Sequence, residues 1–213
     1  MGETEYNILV VDDEKNINDL FDPLKDILYE EDELLVRFEY MNDISNFKIK
    51  KPFDVVMFDS KFLNTKHDYE YNQEHKTIGF NLIESFRKSN KKTKIIFYSS
   101  HFDISEPDQI PYGAKDFFRI INDLNIYKMV NKNKTKEIYN AIKDAIDDLD
   151  IIMIMLEKMS KDYEGLDIEY EINEENIPMQ KLINDFKMGG KISEKFRKEV
   201  MDIVLSYMSK FNT

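Results

Sequence analysis

Short runs that are apolar on both parities recur along the first two-thirds of this chain, separated by stretches of helical periodicity. Ile8-Leu9-Val10-Val11 is the first, and Phe53–Phe58, Lys94–Tyr98 and Ile126–Val130 read the same way. A strand with one wet face alternates apolar and polar residues. A run that is apolar throughout is buried on both faces, as in a parallel sheet covered by helices. Parallel strands cannot be joined by a hairpin, so the segments between them must cross over. Asn16–Tyr29 carries Ile17, Leu20, Phe21, Leu24, Ile27 and Leu28 at helical spacing, with Pro23 inside to kink it or mark a late first turn. Ile78–Lys88 does the same through Ile78, Leu82, Ile83 and Phe86, and Ala114–Leu124 reads as a third helix. Leu34–Tyr40 alternates as a further strand, and Asp43–Ile49 has room for one or two helical turns. Five strands alternating with helices predict the α/β class, a doubly wound five-stranded parallel sheet.

In such a sheet, ligands bind beyond the carboxyl ends of the strands. Polar residues collect there. Asp12 and Asp13 follow the first run, Asp59 the third strand, Ser99 the fourth, and Lys132 follows Ile126–Val130. Three carboxylates brought together repel one another. At about 4 Å and an effective dielectric near 20, each like-charge pair costs on the order of 4 kcal/mol. The cluster therefore implies a cation or a proton, and Mg2+ suits hard carboxylate and water ligands. Asp13 and Asp59 are the expected direct ligands, with Asp12 binding directly or through water. Asp59 can then act as a nucleophile toward a phosphoryl donor, giving an acyl phosphate. Lys132 and the metal would neutralise the transferred oxygens, and the Ser99 hydroxyl would hydrogen-bond one of them. Read singly, an Asp pair after a strand is a loop start or a helix cap; it is the combination in strand order that points to this chemistry.

The text ILVVDDE (Ile8–Glu14), FDVVMFDS (Phe53–Ser60), GFNLIESFRK (Gly79–Lys88), KIIFYSS (Lys94–Ser100) and YKMVNK (Tyr127–Lys132) resembles the receiver domain of two-component response regulators. The resemblance covers roughly residues 5 to 148. It implies a flavodoxin-like receiver fold, Asp59 as phosphoacceptor, Asp12 and Asp13 on Mg2+, and Ser99 coupling phosphorylation to a surface change. It also implies a histidine kinase or phosphotransfer protein as phosphodonor. Such a protein is not an enzyme beyond its own phosphorylation and dephosphorylation. The chain departs from the family in four places. Met129 stands where the switch aromatic belongs, and Asn133 where a proline follows the lysine. Ser99-Ser100 replaces the usual Thr/Ser-Ala pair, and the 60–77 loop is far longer than in a simple receiver. A second alignment takes Gly113-Ala114 and Phe117-Phe118 as the approach to the last strand and puts Ile120 at the lysine position. Lys61 and His101, two residues beyond Asp59 and Ser99, either tune loss of the phosphoryl group or are solvated loop residues.

Bulk properties narrow the partners. The 213-residue chain suits one ordinary domain plus a small second unit. Its net charge of −12 argues against a general nucleic-acid surface, which needs a basic face. There are no cysteines, so no disulfide or thiolate zinc site is available. His67 and His75 sit with Asp68, Glu70 and Glu74 in the polar 60–77 loop, which reads as a mobile or partner-binding element. The start of the chain is polar and acidic, unlike a signal peptide. The longest apolar run, Ile151–Leu156, is far short of the ~20 residues of a membrane helix. A cytoplasmic protein without membrane insertion is the expectation.

Residues 1–134 are thus expected to form the receiver core, 135–161 a long helix continuing from it, and 162–213 a small, mainly helical module. Ile138, Ile142, Ala145, Leu149, Ile152, Leu156 and Met159 step by fours and threes, either a dimerising heptad seam over 138–159 or a core face. Leu166–Ile172 is a short strand or an extended linker. Pro178–Phe186 is a short helix stopped at Gly189-Gly190, and Ser193 can cap a last helix carrying Phe196, Val200, Ile203, Val204, Tyr207 and Phe211. Residues 150–213 hold nine basic and thirteen acidic residues. A module that signals through protein contacts fits this best. A non-phosphorylated pseudo-receiver scaffold is one alternative. A DNA-binding regulator using Lys191, Lys195, Arg197 and Lys198 is the other.

Overall fold

The computed structural model describes residues 5–45, 47–49, 51–62, 78–103, 110, 112–163, 165–172 and 175–210. Five parallel strands, β1 (Glu5–Val11), β2 (Leu35–Met41), β3 (Val55–Asp59), β4 (Lys94–Ser99) and β5 (Lys128–Asn131), form one sheet in the order β2-β1-β3-β4-β5. The order reverses between β1 and β3, which makes the gap beyond their carboxyl ends the topological switch point. In register, Ile8 lies beside Phe38 and Val55, Asp59 beside Tyr98, and Ser99 beside Asn131.

The sheet is buried on both faces, as the uninterrupted apolar runs require. Ile8, Val10, Val55, Met57, Ile96 and Tyr98 point into one layer, with α1 (Asn18–Asp32) and α4 (Thr135–Asp147) supplying Phe21, Leu24, Leu28, Ile138 and Ile142. Their neighbours Leu9, Val11, Val56, Phe58, Ile95 and Phe97 point into the other layer. There α2 (Ile78–Arg87) and α3 (Ala114–Asn122) supply Phe80, Ile83 and Ile120. Ile120 is therefore a core residue of α3, and Lys132 follows β5. Pro23 stands inside α1. No helix forms over the described part of 43–49; Ile44, Phe47 and Ile49 are instead drawn onto the second layer.

The helix expected to run unbroken over 135–161 is two helices, α4 and α5 (Ile151–Asp162). Asp147 and Asp148 end α4 at the negative pole of its dipole, where acids are unfavourable. Asp150 then starts α5, its carboxylate accepting from the Met153 N–H at 3.4 Å. The apolar stripe is core rather than one dimer seam. Ile138, Ile142 and Ala145 are fully buried in the sheet layer, and Leu156 is buried in the core of the second unit.

The chain divides into two compact units, Met1–Lys88 with Thr93–Leu149, and Ser89–Lys92 with Asp150–Thr213. In the second, β6 (Glu169–Ile172) and β7 (Glu175–Pro178) pair antiparallel, so the segment left open between strand and linker is half of a hairpin. With α5, α6 (Met179–Met188) and α7 (Lys191–Ser209) they enclose Leu156, Ile172, Ile177, Leu182, Ile183 and Phe186. Gly189 takes the left-handed φ of 64° that closes α6. Ser193 does not cap α7. Gly190 holds that place, and the Ser193 N–H donates to Asp185 Oδ2 at 2.7 Å. No helix among the described residues is long and apolar enough to cross a membrane.

Candidate functional site

Three of the expected side chains meet at the switch point because three strands end there. Asp12 and Asp13 leave β1, and Asp59 is the last residue of β3. All three are buried, and one carboxylate oxygen of each lies within 4.8 Å of the others. Ser99, the last residue of β4, and Lys132, just after β5, line the same cleft, together with Lys61 and His101. His67, His75, Asp68, Glu70, Glu74 and most of the 60–77 loop lie outside the described residues.

The three acids are not equivalent. Asp12 is fully buried and heavily hydrogen-bonded. Its Oδ1 accepts from the Glu14 N–H at 2.8 Å, and its Oδ2 accepts from the Tyr98 hydroxyl at 2.7 Å and the Lys132 ammonium at 2.8 Å. Lys132 also donates to Glu14 at 2.6 Å. Burial opposes the lysine charge, but the Asp12 hydrogen bond, the Asp59 charge and the Glu14 hydrogen bond outweigh it and hold its pKa above the usual lysine value. Burial and the neighbouring Asp12 and Asp59 carboxylates drive the Tyr98 phenol far above its ordinary range, so it stays a donor.

Asp59 is in a different position. Its Oδ1 accepts from the Ser60 N–H at 2.8 Å. Burial and then the Asp12 charge push its carboxyl up to about 7, against the opposing pull of Lys132 and Ser60. Its other carboxylate oxygen faces the cleft shared with Asp12 and Asp13. Gly79 opens α2 directly over it. A Cβ there would lie 1.9 Å from the Asp59 carbonyl oxygen, so only glycine allows the helix this close.

Ser99 is engaged by its neighbours. The Ser60 hydroxyl donates to its Oγ at 2.6 Å, and the His101 N–H does so at 3.2 Å. The Lys132 N–H donates to the Ser99 carbonyl at 3.0 Å, which ties the end of β4 to the turn that carries the lysine. His101 has its imidazole pKa lowered by burial and by Lys61.

Sequence reasoning missed Tyr98, Ser60, Glu14 and Asn42. Asn42 donates to the Asp12 and Glu14 carbonyls at 2.8 and 3.1 Å and so shapes the turn that carries the acids. The available signal was Tyr98, a phenol at the carboxyl end of an otherwise aliphatic and aromatic strand. A buried hydroxyl needs a partner, and the acids are within its reach.

A buried set of three carboxylate oxygens within 4.8 Å of one another fits a hard divalent cation such as Mg2+. Asp13 and Asp59 would hold it, and Asp12, already committed to Tyr98 and Lys132, would act through water.

No family model matches the chain, and no curated protein matches it. Solved structures do. A CheY-like response regulator receiver domain protein from Methanospirillum hungatei aligns with 68% of this chain and 95% of its own, at 17% identity and a TM-score of 0.42. A two-component transcriptional regulator from Clostridium phytofermentans aligns with 73% of this chain and 98% of its own, at 20% identity and a TM-score of 0.42. A response regulator receiver protein from Pseudoalteromonas atlantica gives 66%, 97%, 15% and 0.41 in the same terms. The first unit has the flavodoxin-like receiver fold. Its strand order and two-sided helical cover define that fold.

Proposed function

We propose that the chain is a two-component response regulator that takes a phosphoryl group on Asp59 in a Mg2+-dependent reaction. The phosphodonor is a histidine kinase or phosphotransfer protein, and the signal leaves through protein contacts of the C-terminal unit. The observation that carries this reading is the convergence of Asp12, Asp13 and Asp59, with Ser99 and Lys132 in the same cleft, at the switch point of a doubly wound sheet.

Bound Mg2+ would supply positive charge that favours the Asp59 carboxylate and the incoming phosphoryl oxygens. The chain's own residues do the remaining work. The Asp59 oxygen that does not accept from Ser60 attacks phosphorus, the bond to the donor's leaving group breaks, and an acyl phosphate results. Lys132 places a permanent cation beside Asp12 and Glu14, from which its flexible stem can turn to the transferred oxygens. The Ser99 hydroxyl, whose oxygen accepts from Ser60, can donate its own proton to one of them.

The test is incubation with acetyl phosphate and Mg2+, read by intact-protein mass. A gain of one phosphoryl group that is lost in Asp59→Asn supports the reading, and no gain from any small-molecule or protein donor overturns it. One observation favours a second reading, a receiver-like scaffold that is not phosphorylated. Lys132 already lies against Asp12 and Glu14, so an internal cation offsets part of the acid charge without a metal. Absence of both Mg2+ binding and phosphorylation is the result that reading requires.

A further inference from the structure

We propose that Ser60 is a positioning residue for the phosphoryl site, holding the Ser99 hydroxyl so that its proton is the part left for a ligand in the cleft. This rests on the reading of Asp59 as phosphoacceptor, and adds the residue that orients its hydroxyl donor. The two serines stand in different places. Ser99 lines the cleft beside Asp59 and Lys132, and Ser60 is not part of the cleft wall. Both are buried, Ser60 without any exposure and Ser99 at 1%. A buried hydroxyl needs a hydrogen-bond partner, and the Ser60 hydroxyl donates to Ser99 Oγ at 2.6 Å.

The main chain of Ser60 is fixed independently of that hydroxyl. Its N–H donates to Asp59 Oδ1 at 2.8 Å and to the Tyr98 carbonyl at 3.0 Å. Its carbonyl accepts from the Gly79 N–H at 3.2 Å. Truncation of the side chain to alanine keeps all three bonds, so Asp59 stays where it is. The Ser99 main chain is held as well, its carbonyl accepting from the N–H groups of Lys132 at 3.0 Å and Phe102 at 3.2 Å. What the backbone leaves open at this point is the direction of the Ser99 side chain.

Hydrogen-bond capacity sets that direction. A serine hydroxyl has one proton and two lone pairs. Ser99 Oγ accepts from the Ser60 hydroxyl and, at 3.2 Å, from the His101 N–H. Both lone pairs are then used, and the proton is the capacity that remains. Bonds in such a chain also strengthen one another, so an oxygen that accepts twice is a better donor. Phosphoryl oxygens only accept, and a hydroxyl fixed as a donor matches them. Without Ser60 the Ser99 oxygen keeps one of these two bonds, and its side chain is free to turn about Cα–Cβ and present a lone pair instead. Ser60 therefore acts through Ser99 and does not itself touch the reacting atoms.

Beryllofluoride, a mimic of a phosphoryl group on a carboxylate, is the probe, titrated in saturating Mg2+ into the full chain. Ser60→Ala is expected to bind it about 3- to 10-fold more weakly, the range set by one neutral hydrogen bond. Ser99→Ala should lose at least as much, and the double variant no more than Ser99→Ala alone, because the effect of Ser60 passes through Ser99. Mg2+ affinity without beryllofluoride should be the same in Ser60→Ala and wild type, whereas a packing role would move both affinities together. Circular dichroism checks folding, and Ser60→Cys, a weaker donor of similar size, should fall between Ser60→Ala and wild type. Wild-type beryllofluoride affinity in Ser60→Ala overturns the proposal, as do losses that add in the double variant or a matching loss of Mg2+ affinity. A wild-type chain that binds no beryllofluoride and takes no phosphoryl group from acetyl phosphate overturns the reading of Asp59, and the proposal with it.

Discussion

The Tyr98 hydroxyl donates to Asp12 Oδ2 at 2.7 Å, and the two side chains, from the ends of β4 and β1, are both fully buried. This bond gives a buried carboxylate a neutral donor from within the core. Tyr98→Phe keeps the ring and removes the donor. Loss of a buried hydrogen bond to a charged group is expected to cost about 2 kcal/mol. Urea unfolding should show the loss most clearly in the absence of Mg2+. Added Mg2+ should recover part of it, because the cation offsets the acid charge that the phenol no longer shares. An unchanged unfolding midpoint would mean that the hydroxyl carries no energy at this site.

Asp59 gives a pH signature of definite sign. Its folded-state pKa of about 7 lies above the ordinary 3.8, so the folded protein binds more protons than the unfolded chain between those values. Stability therefore falls as pH rises from about 4 to about 7. A shift of this size corresponds to about 4 kcal/mol at most by linkage. Asp59→Asn removes the ionisation and should be more stable than wild type above pH 7 in the absence of Mg2+. The difference should shrink below pH 5 and on adding Mg2+. Paired denaturation curves at the two pH values measure it, and a variant less stable than wild type at pH 8 would contradict the assigned environment.

Lys132 offsets the acids from the other side. Its ammonium is 2.8 Å from Asp12 Oδ2, which has no exposure to solvent. Lys132→Met leaves a buried carboxylate without its cation, which is expected to cost about 3 kcal/mol. The same change removes an influence that lowers the Asp59 pKa, so the Asp59 carboxyl should titrate higher still. Carbon-detected NMR titration of the aspartate carboxyls reads this directly. Phosphorylation from acetyl phosphate should also slow in this variant.

Gly79 separates backbone sterics from chemistry. Its missing Cβ leaves room for the Asp59 carbonyl, which an alanine Cβ would meet at 1.9 Å. Gly79→Ala must push α2 off the end of β3. Overpacking of this kind costs about 1–3 kcal/mol and would displace the Asp59–Ser60 turn. Lowered stability together with reduced Mg2+ affinity is the expected pair of results, by thermal unfolding and by metal titration. Full Mg2+ affinity in a destabilised variant would place the effect in α2 alone.

The sheet was legible because two-sided burial leaves a direct trace in the chain. Ile8–Val11 and Ile95–Tyr98 are apolar on both parities, and the layers alternate through them as Ile8 and Val10 against Leu9 and Val11. The acids were legible for the related reason that strand ends in such a sheet share one edge. The break between α4 and α5 was not. The fours and threes from Ile138 to Met159 continue across it, and the interruption comes from Asp147, Asp148 and Asp150 acting on helix ends. Periodicity reports which residues are buried, not whether one helix or two bury them.

The sequence alone determined the class of fold, the order of its elements and the residues gathered at the sheet edge, because these follow from local pattern and strand-end position. Only the tertiary structure decided how those residues divide the charge. Asp12 is held by Tyr98 and Lys132, and burial together with the Asp12 charge raises the pKa of Asp59. It also took the folded chain to show that the 138–159 stripe is spent on two cores. Charge partnership and exposure both depend on distances between segments far apart in the chain, and no local pattern encodes those distances.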